Sequence, residues 1–140
     1  MNGTKVVLDT NVIILASKQQ LDVELLLSRY DEFYVSIITY MEVYAYDFTD
    51  ETEKALTDEM FTNLEIVDIN RPIAEQAILY RKNKTKKIKL PDAVILATTA
   101  YLQATLLTDD WDDFKSIVKK IAKRTFRARV GASFSRPCNI

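Results

Sequence analysis

Apolar residues recur along this chain in two alternating rhythms. Lys5-Val6-Val7-Leu8 is a short apolar run that reads as a buried strand, and the turn-prone Asp9-Thr10-Asn11 interrupts it. Val23, Leu26, Leu27 and Tyr30 fall at helical spacing, and Glu32-Phe33-Tyr34-Val35-Ser36 has the look of a second strand. Thr39 is expected to begin the next helix, which carries Met41, Val43, Tyr44 and Tyr46. Thr49 or Asp50 should cap a helix that runs to about Asn63. Leu64 to Ile69 alternates as a third strand does, and Pro72 opens a helix with Ile73, Ala74, Ala77 and Ile78. Pro91 to Ala104 is apolar nearly all round, which places that helix inside the fold. Thr105 to Thr108 forms a fourth strand, ended by Asp109-Asp110-Trp111-Asp112-Asp113. Strands alternating with helices predict a parallel sheet covered on both faces, an α/β fold.

Length fits one domain spanning residues 1–140, because a chain of 140 residues can bury roughly two-thirds of its unfolded surface. A hydrophobic share of 48% and a charged share of 28% belong to an ordinary globular protein. Cys138 is the lone cysteine, so an internal disulfide and a multi-cysteine zinc site are excluded and a reducing cytoplasm is expected. Neither an apolar run of membrane-spanning length nor a signal-peptide pattern appears, so no membrane association is expected.

Histidine is absent, which leaves acid and base work near neutral pH to carboxylates, Lys, Tyr, Cys or metal-bound water. The overall charge of −1 hides a division: residues 1–70 carry 4 Lys/Arg against 14 Asp/Glu, whereas residues 71–140 carry 15 against 6. Six of the nine residues from Arg81 to Lys89 are basic and have no apolar face, as in a loop or frayed helix end. Such a division suits a metal site beside a polyanion track, and equally two solvated faces without a partner.

Ligands of an open parallel sheet bind beyond the carboxyl ends of its strands. Asp9 follows the first strand, Asp110 and Asp113 follow the fourth, and Glu42 and Asp92 are expected in the first turns of helices that start at that edge. Carboxylates gathered there repel one another unless cations neutralise them, and an all-oxygen site suits Mg²⁺ or Mn²⁺. Each acid also has a purely structural role open to it. Asp9 can make an Asx-turn, Glu42 can close a capping box with Thr39, Asp92 can face the positive end of its helix, and the acidic run after Thr108 can be a solvated turn.

Several segments together resemble the PIN-domain family, and within it the VapC-like toxins of toxin–antitoxin systems. They are Leu8-Asp9-Thr10-Asn11, Ser36-Ile37-Ile38-Thr39-Tyr40-Met41-Glu42, Lys89-Leu90-Pro91-Asp92-Ala93, and Ala104-Thr105-Leu106-Leu107-Thr108 leading to Asp113-Phe114. The resemblance implies a three-layer α/β/α fold and an Mg²⁺- or Mn²⁺-dependent endoribonuclease. By position it makes Asp9 and Asp92 the main metal ligands, Glu42 a third acid, and Thr10, Asn11, Thr39 and Thr108 supporting residues. The fourth acid is Asp113 by the Asp-Phe pair, or Asp110 by its distance from Thr108.

The resemblance also implies a homodimer held inactive by an antitoxin. The row Tyr40, Val43, Tyr44, Tyr46 and Phe48 agrees with that, because it carries more apolar surface than one buried stripe uses. From about residue 115 the chain departs from the family pattern into a basic extension without an acid. Lys82, Lys84, Lys86 and Lys87, with Lys119, Lys120 and Lys123, form the expected RNA-binding set. The tail's Phe126, Val130 and Phe134 offer the alternative that it completes the fold. Two other readings stay open: a catalytically idle RNA-binding or assembly module, and a haloacid-dehalogenase-like phosphatase. The second Asp that such phosphatases place two residues after the first is replaced here by Asn11.

Overall fold

Residues 4–83, 87–108 and 129–130 are described by a computed structural model of the protein. The chain runs β1 (Lys5–Leu8), α1 (Thr10–Ser17), α2 (Val23–Leu27), β2 (Glu32–Ser36), α3 (Ile37–Ala45), α4 (Glu51–Thr62), β3 (Glu65–Val67), α5 (Arg71–Arg81), α6 (Leu90–Leu102), β4 (Thr105–Leu107) and β5 (Arg129–Val130). All strand pairings are parallel and the order is β3-β2-β1-β4-β5. Val6 and Val7 of the central strand are wholly buried, as a strand covered on both faces requires.

Alternate side chains of β1, β2 and β4 enter two different cores. Val7, Tyr34 and Leu106 pack with Ile73, Ala77 and Tyr80 of α5 and with Ala93 to Ala97 of α6. Val6, Leu8, Val35 and Leu107 pack with Val12 and Ile13 of α1, Val43 of α3, and Met60 and Phe61 of α4. The result is the expected three-layer α/β/α arrangement. No helix among the described residues is long and apolar enough to cross a membrane.

Caps explain most helix starts. Asp50 Oδ1 accepts from Glu53 N–H at 2.7 Å, and Asn70 Oδ1 accepts from Ile73 N–H at 2.9 Å beside Pro72. Two starts differ from the expectation. Asp9-Thr10-Asn11 is no turn: Asp9 caps α1, and Oδ1 accepts from Thr10 N–H. The apolar Val12 to Ala16 lacks a polar face because α1 lies against the sheet, so periodicity does not reveal it.

α3 begins at Ile37 rather than Thr39, capped by the Ser36 hydroxyl, which accepts from Ile38 N–H at 3.1 Å. Glu42 is therefore the sixth helical residue and lies outside the first turn, and the Thr39/Glu42 capping box does not form. The third strand is shorter than Leu64–Ile69. Arg129–Val130 pairs with β4, so this part of the basic extension joins the sheet.

Candidate functional site

β1 and β4 are neighbours whose next strands lie on opposite sides of the pair, β2 on one side and β5 on the other. Between two such strands the loops diverge and a crevice opens at their carboxyl ends. Asp9 and Thr108 stand at that point, directly after β1 and β4. Asp9 N–H continues the ladder to Leu107 O at 3.0 Å, and Thr108 Oγ1 donates to Asp9 Oδ2 at 2.7 Å across 99 residues of sequence. The other oxygen, Oδ1, takes Thr10 N–H at 2.8 Å. Asp9 is only 4% exposed, and its charge is held by these donors and by the positive end of α1, which it caps.

A second carboxylate is tied to the same turn. Thr10 Oγ1 lies 2.7 Å from Glu42 Oε1 and 3.1 Å from Thr39 Oγ1. α1 and α3 both start at the carboxyl edge of the sheet, so Thr10 meets the face of α3 that carries Thr39 and Glu42. Thr39 is fully buried, whereas Glu42 is exposed to solvent. Asn11, expected to support the site, is exposed one residue further on.

α6 feeds β4, which is parallel to β1, so α6 runs against the strands and its first turn lies at their carboxyl edge. Asp92, half-buried, sits in that turn, and the start of α6 has no side-chain cap from Lys89. Asp9, Glu42 and Asp92 thus share one edge of the sheet. Among the described residues, no three acids lie together closely enough to hold an ion. Asp110 and Asp113 lie outside the described residues, as do Lys84, Lys86, Lys119, Lys120 and Lys123. Lys82 and Lys87 are exposed on the segment that leads from α5 into α6 and hence toward Asp92.

The donor set is purely oxygen: carboxylates flanked by threonine hydroxyls, in a chain without histidine. Such a set fits a hard cation such as Mg²⁺ or Mn²⁺. Sequence reasoning nominated the acids but did not find the chain of hydroxyls from Thr39 through Thr10 to Glu42. Hydroxyl residues one position after Asp9 and three before Glu42 are the only trace of it in the sequence.

On the opposite face of the sheet from α5 and α6, a cavity of about 350 Å³ opens between α1, α2 and α4. Leu8, Val12, Ala16, Leu56, Met60 and Leu64 line it, with Glu24 and Glu59 among its polar groups.

Comparison with known proteins agrees with this architecture. No curated protein matches the sequence. A chain of a toxin-antitoxin complex from Klebsiella pneumoniae is 29% identical, covering 78% of this chain and 89% of that one, with a TM-score of 0.63. The structure of VapBC-1 from nontypeable Haemophilus influenzae reaches a TM-score of 0.73 at 19% identity, covering 95% of this chain and 100% of that one. VapBC2 from Rickettsia felis, bound to a DNA fragment from its promoter, gives 0.71 at 21% identity, with 91% and 98% covered. The family model for the PIN domain matches residues 6–120, and the chain belongs to the PIN domain family.

Proposed function

We propose that the protein is an Mg²⁺- or Mn²⁺-dependent endoribonuclease and the toxin of a toxin–antitoxin pair that acts in the cytoplasm. The observation that carries the reading is Asp9: a carboxylate 4% exposed at the switch point of a parallel sheet, oriented by Thr108 and Thr10. A buried charge in that crevice is costly unless it serves a ligand or is fully compensated. Asp9 and Asp92 would hold the cation and Glu42 would act as third acid, joined by Asp110 or Asp113. Bound there, the ion supplies a more acidic water and a counter-charge for a phosphodiester.

The protein's own contribution is placement. Thr108 and Thr10 hold the Asp9 oxygens in fixed directions, which keeps the acid from turning toward solvent when RNA approaches. The lysines of the segment before α6, Lys82 and Lys87 with Lys84 and Lys86, would bind RNA phosphates, and Lys119, Lys120 and Lys123 of the tail would extend that track. RNA is favoured over a small phosphate ester because a basic run leads into the acidic edge.

The inhibitory partner would place an apolar segment in the cavity between α1, α2 and α4, where Glu24 and Glu59 favour basic residues on the incoming chain. Tyr40 and Met41, 39% and 58% exposed on α3, support self-association into a homodimer.

The test is cleavage of single-stranded RNA by the purified protein with Mg²⁺, with Mn²⁺ and with EDTA, for the parent and Asp9→Asn. Cleavage should require the cation and fall at least 100-fold in the variant. Cleavage that survives EDTA, or an undiminished Asp9→Asn protein, refutes the reading. Hydrolysis of p-nitrophenyl phosphate without RNA cleavage would favour a phosphatase, and metal-independent RNA binding without turnover an idle module.

A further inference from the structure

Thr10 touches both acids at once. Its backbone N–H donates to Asp9 Oδ1 at 2.8 Å, and its hydroxyl lies 2.7 Å from Glu42 Oε1. The same hydroxyl lies 3.1 Å from that of Thr39. A threonine hydroxyl has one proton, and a carboxylate only accepts. The proton of Thr10 therefore goes to Glu42, and the proton of Thr39 goes to Thr10.

The other buried helical threonines behave differently. Thr57, Thr98 and Thr99 donate to the carbonyls of Glu53, Val94 and Ile95 four residues back in their own helices, the ordinary outlet for such a group. Thr39 is as fully buried as these, but as the third residue of α3 it has no carbonyl four residues back in its own helix, and its hydroxyl meets a side chain on another helix.

We infer that Thr10 is a positioning residue that fixes Glu42 relative to Asp9, and that Thr39, which hydrogen-bonds neither acid, acts on Glu42 by holding the Thr10 hydroxyl in the donating direction. The inference rests on the reading of Asp9 and Glu42 as acids of a cation site. Glu42 is exposed and has several rotamers to choose from, so without Thr10 it turns toward water. Asp9 keeps its place, because the backbone N–H of Thr10 and the hydroxyl of Thr108 remain. Thr39 can act only through Thr10, so its removal has no effect once the Thr10 hydroxyl is gone.

Mn²⁺ binding to the full-length protein, followed by calorimetry and by the electron-spin signal of free Mn²⁺, tests the order of this chain alongside RNA cleavage. Thr10→Val should weaken Mn²⁺ binding at least fivefold and Thr39→Val at least twofold. Thr10→Ser and Thr39→Ser, which keep the hydroxyl, should bind within twofold of the parent, and melting curves establish that each variant folds. The double variant Thr10→Val/Thr39→Val should bind like Thr10→Val alone.

Effects of Thr10→Val and Thr39→Val that multiply in the double variant overturn the relay, as do serine variants that bind no better than the valine ones. Asp9→Asn separates the two levels of the argument. If it binds Mn²⁺ like the parent, the cation-site reading fails and this inference with it. If it loses Mn²⁺ while Thr10→Val does not, only the inference is overturned.

Discussion

Replacing Thr108 by Val tests the bond that closes the switch point. The two side chains have the same shape, so no cavity is left and the loss is confined to one hydroxyl. That hydroxyl is fully buried and donates to a carboxylate oxygen at 2.7 Å. A hydrogen bond to a charged group contributes about 1.5–3 kcal/mol. Burying a methyl in place of the hydroxyl offsets up to about 0.8 kcal/mol of this. The net expected loss is about 1–2 kcal/mol at neutral pH, which for a chain of this size lowers Tm by about 3–10 °C.

Urea denaturation in EDTA measures the change without a cation, and an unchanged slope against urea establishes that the two unfolding transitions are comparable. In an Asp9→Asn background the acceptor is neutral, and the same substitution should cost only about 0.5–1 kcal/mol. The cycle should then show coupling of about 1 kcal/mol between positions 9 and 108. A Thr108→Val protein as stable as the parent refutes the reasoning, and so does an equal cost in both backgrounds, because the hydroxyl would then not be serving the Asp9 charge.

Further expectations follow from other parts of the site and fold. Asp92→Asn removes a charge from the acidic edge, so metal-free stability should stay level or rise by up to about 1 kcal/mol. Mg²⁺ should no longer raise its Tm, and cleavage should fall at least 100-fold; a variant that cleaves with its Mg²⁺ stabilisation intact refutes the assignment. Exchanging Lys82, Lys84, Lys86 and Lys87 for Gln should flatten the salt dependence of RNA binding, measured by filter retention, and an unchanged slope would make them a solvated face. Leu56→Glu, in the cavity between α1, α2 and α4, should abolish inhibition by a small protein encoded beside this one while leaving cleavage intact; inhibition that persists removes the cavity from the partner's surface. The hydrogen bond from Tyr34 to Glu32 pushes the tyrosine pKa up from 10.0 to about 12, so its stabilisation is complete below pH 10 and disappears as pH rises toward 12. Tyr34→Phe should therefore be less stable at pH 7 and show a shallower alkaline loss in pH-dependent urea titrations; a loss as steep as the parent's would exclude Tyr34 as its source.

The strand cores were legible because parallel strands buried on both faces are plain apolar runs, as in Lys5–Leu8, and Glu32–Ser36 was equally clear. α1 was not legible. Its cap residue, Asp9, and the following Thr-Asn are the residues that also make turns, and the body of the helix has no polar stripe to mark the period. α3 was placed two residues late because Ser36 and Thr39 are both acceptable caps, and only the end of β2 decides between them.

Asp9, Glu42 and Asp92 emerged as candidates from their places after strands and near helix starts, with the resemblance assigning their roles. What linked them could not be read from sequence. The adjacency of β1 and β4 is a property of strand order, and the Thr108–Asp9 bond depends on it. Likewise, nothing local to Thr39 announces that its hydroxyl meets Thr10 of another helix.

The Thr108–Asp9 bond has a consequence for the order in which a ribosome makes the chain. Thr108 follows Asp9 by 99 residues, so the turn after β1 leaves the exit tunnel well before the hydroxyl that orients it. Until Thr108 emerges, β1 lacks its β4 neighbour and the Asp9 carboxylate lacks the Thr108 hydroxyl. This corner of the sheet is therefore assembled only after β4 has been made, however early β1 is available.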